Sequence, residues 1–319
     1  MLLTPPQARK LYEHAVDNRY AVLAVNADSP AAITDCLTVA KKLDAPIIIE
    51  TSLWQLTGHS FGAGDPITGM DRYLADLLVM ADSDEFESVP VIYHTDHIKG
   101  PDTESILRHA ISKEASSISL DSSDLTHEEN IELMCKLCDY AKDHRLSATL
   151  EMEAGVDEGV TSLNDTHSLF GEVEKRHSGF LALWAPGVGT KHGLGDMGGF
   201  SPEAVEKHRE LASDIASRPI GIALHGSSGL TNGQLSAAVD AGVAKVNWSS
   251  ESLLLRSKAA QEFYTSHTAQ LEKSHLDWKN TAMDNGVQRF VSSRYQAKVT
   301  DRVQTLKGAG QASQFFSTI

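Results

Sequence analysis

The segment Val91-Ile92-Tyr93-His94-Thr95-Asp96-His97 begins with apolar and aromatic residues and ends with two imidazoles on either side of a carboxylate. This pattern is typical of a buried strand that leads directly into polar chemistry. Alternate residues of a strand share a face, so His94 shares its face with Asp96 while His97 lies on the opposite one. If the alternation breaks at the strand end, His97 reaches the mouth of the strand beside Asp96. A neutral imidazole next to a carboxylate suits a metal ligand beside a general acid or base, whereas the alternative interpretation is a solvated polar turn.

Seven other short apolar runs share this form, and polar residues follow each of them. Helical patterns separate the runs, which indicates parallel strands joined by helices. Eight such strands close a barrel, and these barrels carry their sites at the carboxyl ends of the strands. The sequence therefore predicts an α/β fold, a TIM-type (β/α)8 barrel with additional C-terminal helices. The predicted strands are residues 21–26, 46–52, 91–94, 117–121, 147–153, 180–184, 219–226 and 243–247.

The predicted eighth strand is followed by residues 252–319, which have mostly helical patterns. No domain boundary precedes them, so we expect a single barrel domain over residues 1–319, with residues 252–319 as a helical C-terminal extension. The longest predicted connection, residues 53–90, contains a Gly-rich stretch and a helix at 71–81. Long ordered connections of this kind are often functional.

Composition and charge limit the class of function. The 319 residues are 41% hydrophobic and carry a formal net charge of −15, which argues against a general nucleic-acid or anionic-membrane binder. A phosphorylated metabolite remains compatible, because backbone N–H groups and a metal ion can bind phosphate inside an acidic protein. The apolar runs are too short to span a bilayer and residues 1–6 lack the features of a secretory signal, so we expect a cytoplasmic protein.

Polar residues collect at the ends of the predicted strands. His97, His192 and His225 follow strands three, six and seven, and their convergence on one divalent ion would leave coordination positions open, as in a catalytic zinc site. The alternative for any single histidine is a hydrogen-bonded structural role. The full set at strand ends is Asn26, Ser52, Asp96, His97, Asp121, Glu151, Glu153, His192, His225 and Asn247.

 Glycine accompanies two of the histidines, His192 and His225, in short stretches that follow strands six and seven. The first stretch is Gly187-Val188-Gly189-Thr190-Lys191-His192-Gly193, and the second is His225-Gly226-Ser227-Ser228-Gly229. Glycines let the backbone approach a ligand closely, and exposed N–H groups with a serine hydroxyl form an anion cradle. Asn247-Trp248-Ser249-Ser250-Glu251 follows the eighth strand and could add a further hydroxyl. Ordinary turn chemistry is the alternative, but loops after strands seven and eight are the usual phosphate site in barrels.

Taken together, these residues resemble the class II, metal-dependent fructose-bisphosphate and tagatose-bisphosphate aldolase family. The likeness runs in order from about residue 20 to residue 255. Any one motif would be weak, whereas four in the right order with compatible spacing are specific. The four motifs are His94-Thr95-Asp96-His97, Glu151-Met152-Glu153-Ala154-Gly155, Gly189-Thr190-Lys191-His192-Gly193 and His225-Gly226-Ser227-Ser228-Gly229.

The resemblance implies a catalytic Zn²⁺ and an acid/base residue beside it. Asp96 matches the family's acid/base residue. Glu153 and Asp121 match acidic residues that serve an alternative, more buried metal position in some members, and the resemblance also allows a monovalent cation. The residues that match the zinc ligands are His97, His192 and His225.

Substrate contacts follow from the same resemblance. Asn26 and Ser52 match contacts to substrate hydroxyls, and Lys191 is expected to contribute positive charge near a phosphate, since no Schiff-base lysine is needed. The implied partners are a small phosphorylated sugar and a second copy of the chain, in a homodimer or higher homo-oligomer. The residues expected around the phosphate of dihydroxyacetone phosphate are Gly193, Gly226, Ser228, Asn247 and Ser250, and Ser249 is a further expected substrate-binding residue.

Three departures from the family pattern concern the substrate. The loop after Glu153 is short, and either Asp157 or Glu158 is expected to act as its catalytic carboxylate. The family's Asn-x-Asp-Thr-Asp is replaced by residues 247–251, which removes an acid. The family's second phosphate meets an arginine from the C-terminal region, and the sequence leaves the choice open among Arg289, Arg294 and Arg302. A changed acceptor aldehyde is therefore an alternative.

The resemblance implies reversible aldol cleavage of a ketose (bis)phosphate to dihydroxyacetone phosphate and an aldehyde, with a substrate similar to fructose 1,6-bisphosphate. One alternative is an aldolase for tagatose or another sugar phosphate. More remote alternatives are a metal-dependent barrel hydrolase, which would usually carry His-x-His where the first strand here ends in Asn26, and a catalytically silent relative.

Overall fold

The computed structural model describes the chain except for residues 122–124, 155–158 and 195–198. Eight parallel strands, β1 to β8, lie in chain order around a closed barrel, so the predicted fold is confirmed. Every described strand residue is buried, because helices cover the outside of the barrel. The strands are Val22–Asn26, Ile47–Thr51, Val91–Thr95, Ser117–Leu120, Leu150–Glu153, Leu181–Ala185, Gly221–Leu224 and Val243–Trp248.

Helices precede, connect and follow the strands. Several begin with a capping residue followed by proline, which suits the first turn because proline lacks an N–H and fixes φ. Ser29 and Pro30 start one such helix, and Ser201 and Pro202 start another. The helices α1 to α14 are Pro5–Asp17, Pro30–Lys42, Leu53–Thr57, Pro66–Ala81, Thr103–Ser112, His127–His144, Leu163–Asp165, Gly171–Arg176, Pro202–Ala216, Asn232–Ala241, Ser250–Ser266, Trp278–Ala282, Asp284–Thr305 and Gln311–Phe316.

Two predicted boundaries were wrong. The helix predicted at 71–81 begins at Pro66, because the Asp65 side chain accepts hydrogen bonds from the N–H groups of the first turn and adds that turn to the helix. The fifth strand begins at Leu150 rather than at residue 147. Just before the strand, the Thr149 carbonyl accepts from the N–H of Ile118 at 3.0 Å, and the Thr149 hydroxyl donates to the carbonyl of Pro5 at 2.6 Å.

Helix α1 closes the amino-terminal end of the barrel. Its apolar residues Leu11 and Tyr12 pack with strand residues such as Val22 and Ile48 in one buried cluster. The larger cluster lies between the barrel and the outer helices. Because the floor is apolar, charged side chains that point into the barrel are concentrated nearer the opposite end.

The C-terminal helices pack on the same barrel. Helix α13 contacts α2 and α11, and its Tyr295 stacks on Trp248 of β8 with ring centroids 5.7 Å apart. The N–H of Gly310 donates to the carbonyl of Leu43 at 2.9 Å. Among the described residues, no helix combines the length and apolar character needed to cross a membrane.

Candidate active site

His97, His192 and His225 converge above the carboxyl ends of the strands. The ring centroids of His97 lie 4.8 Å from His192 and 5.1 Å from His225. Strand β3 ends at Thr95, and His97 has a left-handed backbone with φ of 49°, which breaks the strand alternation and places His97 beside Asp96. The Nε2 atom of His97 lies 3.7 Å from Oδ1 of Asp96.

Asp121 and His97 form a hydrogen bond on the side of the ring away from Asp96. The Nδ1 atom of His97 lies 2.9 Å from Oδ2 of Asp121, so Asp121 fixes the orientation of the ring. Burial lowers the pKa of His97, but Asp96, Glu153 and Asp121 outweigh burial and raise it well above its ordinary value. The same carboxylates stabilise any cation held at this position.

His225 is held from the barrel interior by Glu151. Its Nε2 atom lies 2.8 Å from Oε1 of Glu151, whereas its Nδ1 atom is buried and has no hydrogen-bond partner among the described residues. A buried ring nitrogen without a hydrogen bond is costly unless it binds something else. A carboxylate on one nitrogen and a vacant lone pair on the other is the usual arrangement of a metal-binding histidine.

The donor set fits a divalent metal ion. One ligand atom from each of His97, His192 and His225 lies within 4.8 Å of the others. Asp96, Glu153, His97 and His225 form a second, overlapping group under the same limit, and Asp121 belongs to neither group. Nitrogen donors backed by carboxylates are typical of catalytic zinc sites.

Asp96 is clamped by two amides at the centre of the site. The side chain of Asn26 donates to Oδ2 of Asp96 at 3.1 Å, and that of Asn247 donates to Oδ1 at 2.9 Å. Burial raises the pKa of Asp96, but His97, Lys245 and other nearby cations leave it below its ordinary value. Both amides, expected from sequence to contact substrate, thus also orient Asp96.

His94, which shares its strand face with Asp96, forms its hydrogen bond with another residue. Its Nδ1 atom lies 2.9 Å from the hydroxyl of Ser117, and its Nε2 atom lies 3.6 Å from Oε2 of Glu151. Burial lowers the pKa of His94 to about 3, so the ring is neutral at physiological pH.

Four fully buried ionisable residues form a layer inside the barrel below the histidines, and we call it the buried ionic layer: Glu50, His94, Glu151 and Lys245. The Nζ atom of Lys245 lies 3.0 Å from Oε2 of Glu151 and 3.5 Å from Oε2 of Glu50. It also donates to Oδ1 of Asn247 at 2.7 Å. One ammonium therefore supports Asp96 through Asn247 and His225 through Glu151.

The sequence analysis did not include Glu50 or Lys245. Their signal was available: each is a charged residue inside an otherwise apolar strand, in Ile-Ile-Ile-Glu and Val-Ala-Lys-Val. The carboxylates raise the pKa of Lys245 although burial lowers it. Burial is the main reason that the pKa of Glu50 is well above its usual value.

A cavity of about 530 Å³ opens above Asp96 and the histidines. On the β6 to β8 side it is bordered by glycines and serines, as expected for an anion cradle. Gly226 has φ of 66°, and a Cβ there would lie 2.7 Å from the carbonyl oxygen of Lys191, so only glycine fits. The predicted substrate residues that border the cavity are Asn26, Ser52, Gly193, Gly226, Ser228, Asn247, Ser249 and Ser250.

Several predicted residues lie elsewhere. Lys191 is exposed and is not among the residues that border the cavity. Arg294 forms an ion pair with Glu262 at 2.6 Å, and buried Arg302 contacts Glu251. Arg289 is exposed on α13, so none of the three candidate arginines borders the cavity. Asp157 and Glu158 lie outside the described residues.

The β2 side of the cavity was missed by the sequence analysis. Leu53, Trp54 and Thr57 of α3 border the cavity there, next to Ser52. Gln55 caps α3, because its Oε1 accepts hydrogen bonds from the N–H of Ser52 at 2.6 Å and from the Ser52 hydroxyl at 2.8 Å. The available signal was an apolar and aromatic pair directly after a polar strand end.

Comparison with known proteins identifies the family to which the chain belongs. The family model for class II fructose-bisphosphate aldolases matches residues 6–311. Fructose-bisphosphate aldolase from Mycoplasma pneumoniae is 25% identical over 313 residues, covering 96% of this chain and 98% of that protein. The one from Streptococcus pneumoniae strain TIGR4 is 27% identical over 312 residues, with 96% and 98% covered.

Solved structures share the fold. Fructose-bisphosphate aldolase from Campylobacter jejuni superimposes with a TM-score of 0.82 at 21% identity, covering 97% of this chain and 96% of that one. The YdjI aldolase from Escherichia coli K12 has a TM-score of 0.73 at 19% identity, covering 98% and 100%. The chain belongs to the class II fructose-bisphosphate aldolase family, and it is a carbon–carbon lyase. Membership favours a lyase over the barrel hydrolase considered from the sequence.

Proposed function

We propose that the chain is a zinc-dependent aldolase that reversibly cleaves a ketose phosphate between C3 and C4, giving dihydroxyacetone phosphate and an aldehyde. The observation that carries this proposal is the clamped carboxylate of Asp96 beside three converging histidines. His97, His192 and His225 would hold the metal ion, which when bound stabilises negative charge on the substrate oxygens.

Asp96 is the proposed base for cleavage. It accepts the proton of the C4 hydroxyl as the C3–C4 bond breaks, and the C4 oxygen becomes the carbonyl of the released aldehyde. Its lowered pKa keeps it ionised and able to accept that proton. Asn26 and Asn247 fix the carboxylate by donating to both oxygens.

The three-carbon fragment keeps the electron pair of the broken bond and takes up a proton at C3. We assign that proton transfer to Asp157 or Glu158. Condensation reverses both proton transfers, so atoms and charge balance in either direction.

The phosphate of the three-carbon fragment is proposed to bind on the β6 to β8 side of the cavity. Gly193, Gly226 and Ser228 border that side, and α11 begins there at Ser250. Backbone N–H groups at the beginning of a helix and in Gly-rich turns bind anions without a charged side chain. Exposed Lys191 would add positive charge from outside the cavity.

The test is to measure bound metal and aldol cleavage together. Purified protein is analysed for zinc, and release of dihydroxyacetone phosphate is followed with fructose 1,6-bisphosphate, tagatose 1,6-bisphosphate and the corresponding 1-phosphates. Cleavage of at least one substrate supports the proposal. Stoichiometric metal without any cleavage would instead identify a catalytically silent relative.

We also propose, from the family resemblance, that the enzyme acts in the cytoplasm as a homodimer or higher homo-oligomer. Sedimentation of the purified chain measures its mass in solution, and a value equal to the 34.5 kDa monomer would contradict the oligomer.

A further inference from the structure

The two sides of the cavity differ in chemistry. The β6 to β8 side presents glycines and serines, whereas Leu53, Trp54 and Thr57 stand on the β2 side. In a closed ring of eight strands in chain order, β2 lies opposite β6. A substrate whose phosphate binds at the β6 end of that side, near Gly193, can therefore extend across the cavity toward α3.

Trp54 is the largest side chain on the β2 side, and 49% of its surface is exposed. Large aromatic side chains that border a cavity offer apolar contact area for a ligand. Trp54 is thus placed to cover carbon-bound hydrogens of the substrate rather than to bind a charge.

The segment that carries Trp54 is rigidly held. Ser52 and Gln55 cap α3, and buried Leu56 anchors it. A Cβ at Gly62 or Gly69 would lie 1.6 Å or 1.8 Å from the carbonyl oxygen of Leu56, so the chain packs closely around this helix. The backbone that carries Trp54 is therefore held in place by close packing.

Cations for a second phosphate are scarce on this side. Among the described residues that border the cavity, the only lysine or arginine is Lys99, whose Nζ lies 3.8 Å from Oδ2 of Asp121. Arg294 and Arg302 contact Glu262 and Glu251 instead. A phosphate dianion next to Trp54 would therefore gain no guanidinium partner from the described residues of its own chain.

We propose that the preferred substrates are ketose 1-phosphates whose far end carries no phosphate and packs against Trp54. This inference rests on the proposed aldolase function and names its substrate class. Cleavage of the C3–C4 bond then releases dihydroxyacetone phosphate and an uncharged aldehyde, with the C4 hydroxyl proton passing to Asp96.

The test compares fructose 1-phosphate with fructose 1,6-bisphosphate, using the zinc-loaded enzyme and kcat/KM for release of dihydroxyacetone phosphate. We expect the 1-phosphate to have the higher kcat/KM. Trp54→Ala should lower kcat/KM for the 1-phosphate by about tenfold, because a hydrophobic contact with the substrate is lost. It should leave the value for the bisphosphate within about twofold.

Trp278→Ala is the matched control, since Trp278 is 44% exposed and lies on α12 outside the cavity. It should change neither value. A preference for the bisphosphate, abolished by Lys99→Met, would overturn the proposal and identify Lys99 as a phosphate-binding residue. Absence of cleavage with both substrates would overturn the aldolase function itself, so the two failures are distinguishable.

Discussion

The three histidines and the buried ionic layer lie one above the other at the same end of the barrel, but they differ in what they can contact. His97, His192 and His225 border the cavity, whereas Glu50, Glu151 and Lys245 are fully buried. The upper groups can meet a metal ion and a substrate. The lower groups orient them, because Lys245 contacts both Glu151 and Asn247. Residues proposed to perform the chemistry are thus separated from residues that position them.

Removal of the metal ion proposed to bind His97, His192 and His225 should have the largest effect on activity. Exhaustive chelation should abolish aldol cleavage, since the charge that develops on the substrate would lose its main stabilisation. Re-addition of Zn²⁺ should restore the rate, which separates metal loss from unfolding. Full activity after chelation, with metal content verified, would contradict the metal role of the three histidines.

Asp96→Asn should lower kcat by about 10²–10⁴-fold, because the amide cannot accept the C4 hydroxyl proton. The variant should still bind zinc, measured as metal content after dialysis. Asp102→Asn, an exposed residue after the same strand, is the control and should behave as wild type. Near-normal cleavage by the Asp96 variant would show that another group is the base.

Lys245→Met tests whether the buried ionic layer positions the three histidines. Removing the ammonium leaves buried Glu151 and Glu50 without their cation, which should lower the free energy of unfolding by about 3–5 kcal/mol. If the protein folds, zinc affinity should fall by about 10–100-fold, because Glu151 no longer holds His225 in place. Competition with a chelator measures that affinity.

Lys258→Met provides the control for this variant, because Lys258 is exposed on α11. It should leave stability and zinc affinity unchanged. If Lys245→Met is less stable but binds zinc as tightly as wild type, the buried ionic layer serves the fold alone.

Glu50→Gln should have the smallest effect and should depend on pH. The pKa of Glu50 is raised, mainly by burial, so its contribution to stability is present below the unfolded pKa of about 4.3 and is lost as pH rises through the folded pKa. Gln cannot ionise and escapes that loss. Urea unfolding between about pH 5 and pH 8 should show the variant gaining on wild type, by about 1.4 kcal/mol per unit of pKa difference. A variant that is less stable at the upper end would mean that ionised Glu50 supports Lys245.

The barrel could be predicted from the sequence because the buried residues of each strand form a short apolar run. Short apolar runs such as residues 46–52 and 91–94 matched strands within a few residues. The start of the fifth strand at Leu150 was not predicted, because a run of residues does not show where its pairing with the neighbouring strands begins. Cap geometry likewise decided the start of α4 at Pro66.

The site was predicted in part for the same reason. The types and positions of His97, His192 and His225 were visible at strand ends, and the structure brings them together. The sequence did not show that Asn26 and Asn247 contact Asp96, because a side-chain amide gives no local sign of whether it faces a substrate or a carboxylate. Lys245 was not predicted as part of the site, because the sequence does not show which residues contact a single charge inside a strand.

The sequence by itself determined the strands and the donor types at their carboxyl ends, since these depend on periodicity and residue chemistry. Only the tertiary structure decided which partner each polar group has. Asp96 is bound by Asn26 and Asn247, which lie 70 and 151 positions away from it in the chain. Such bonds exist only when the barrel closes, because closure alone brings β1 and β8 together and sets Trp54 opposite the proposed phosphate side.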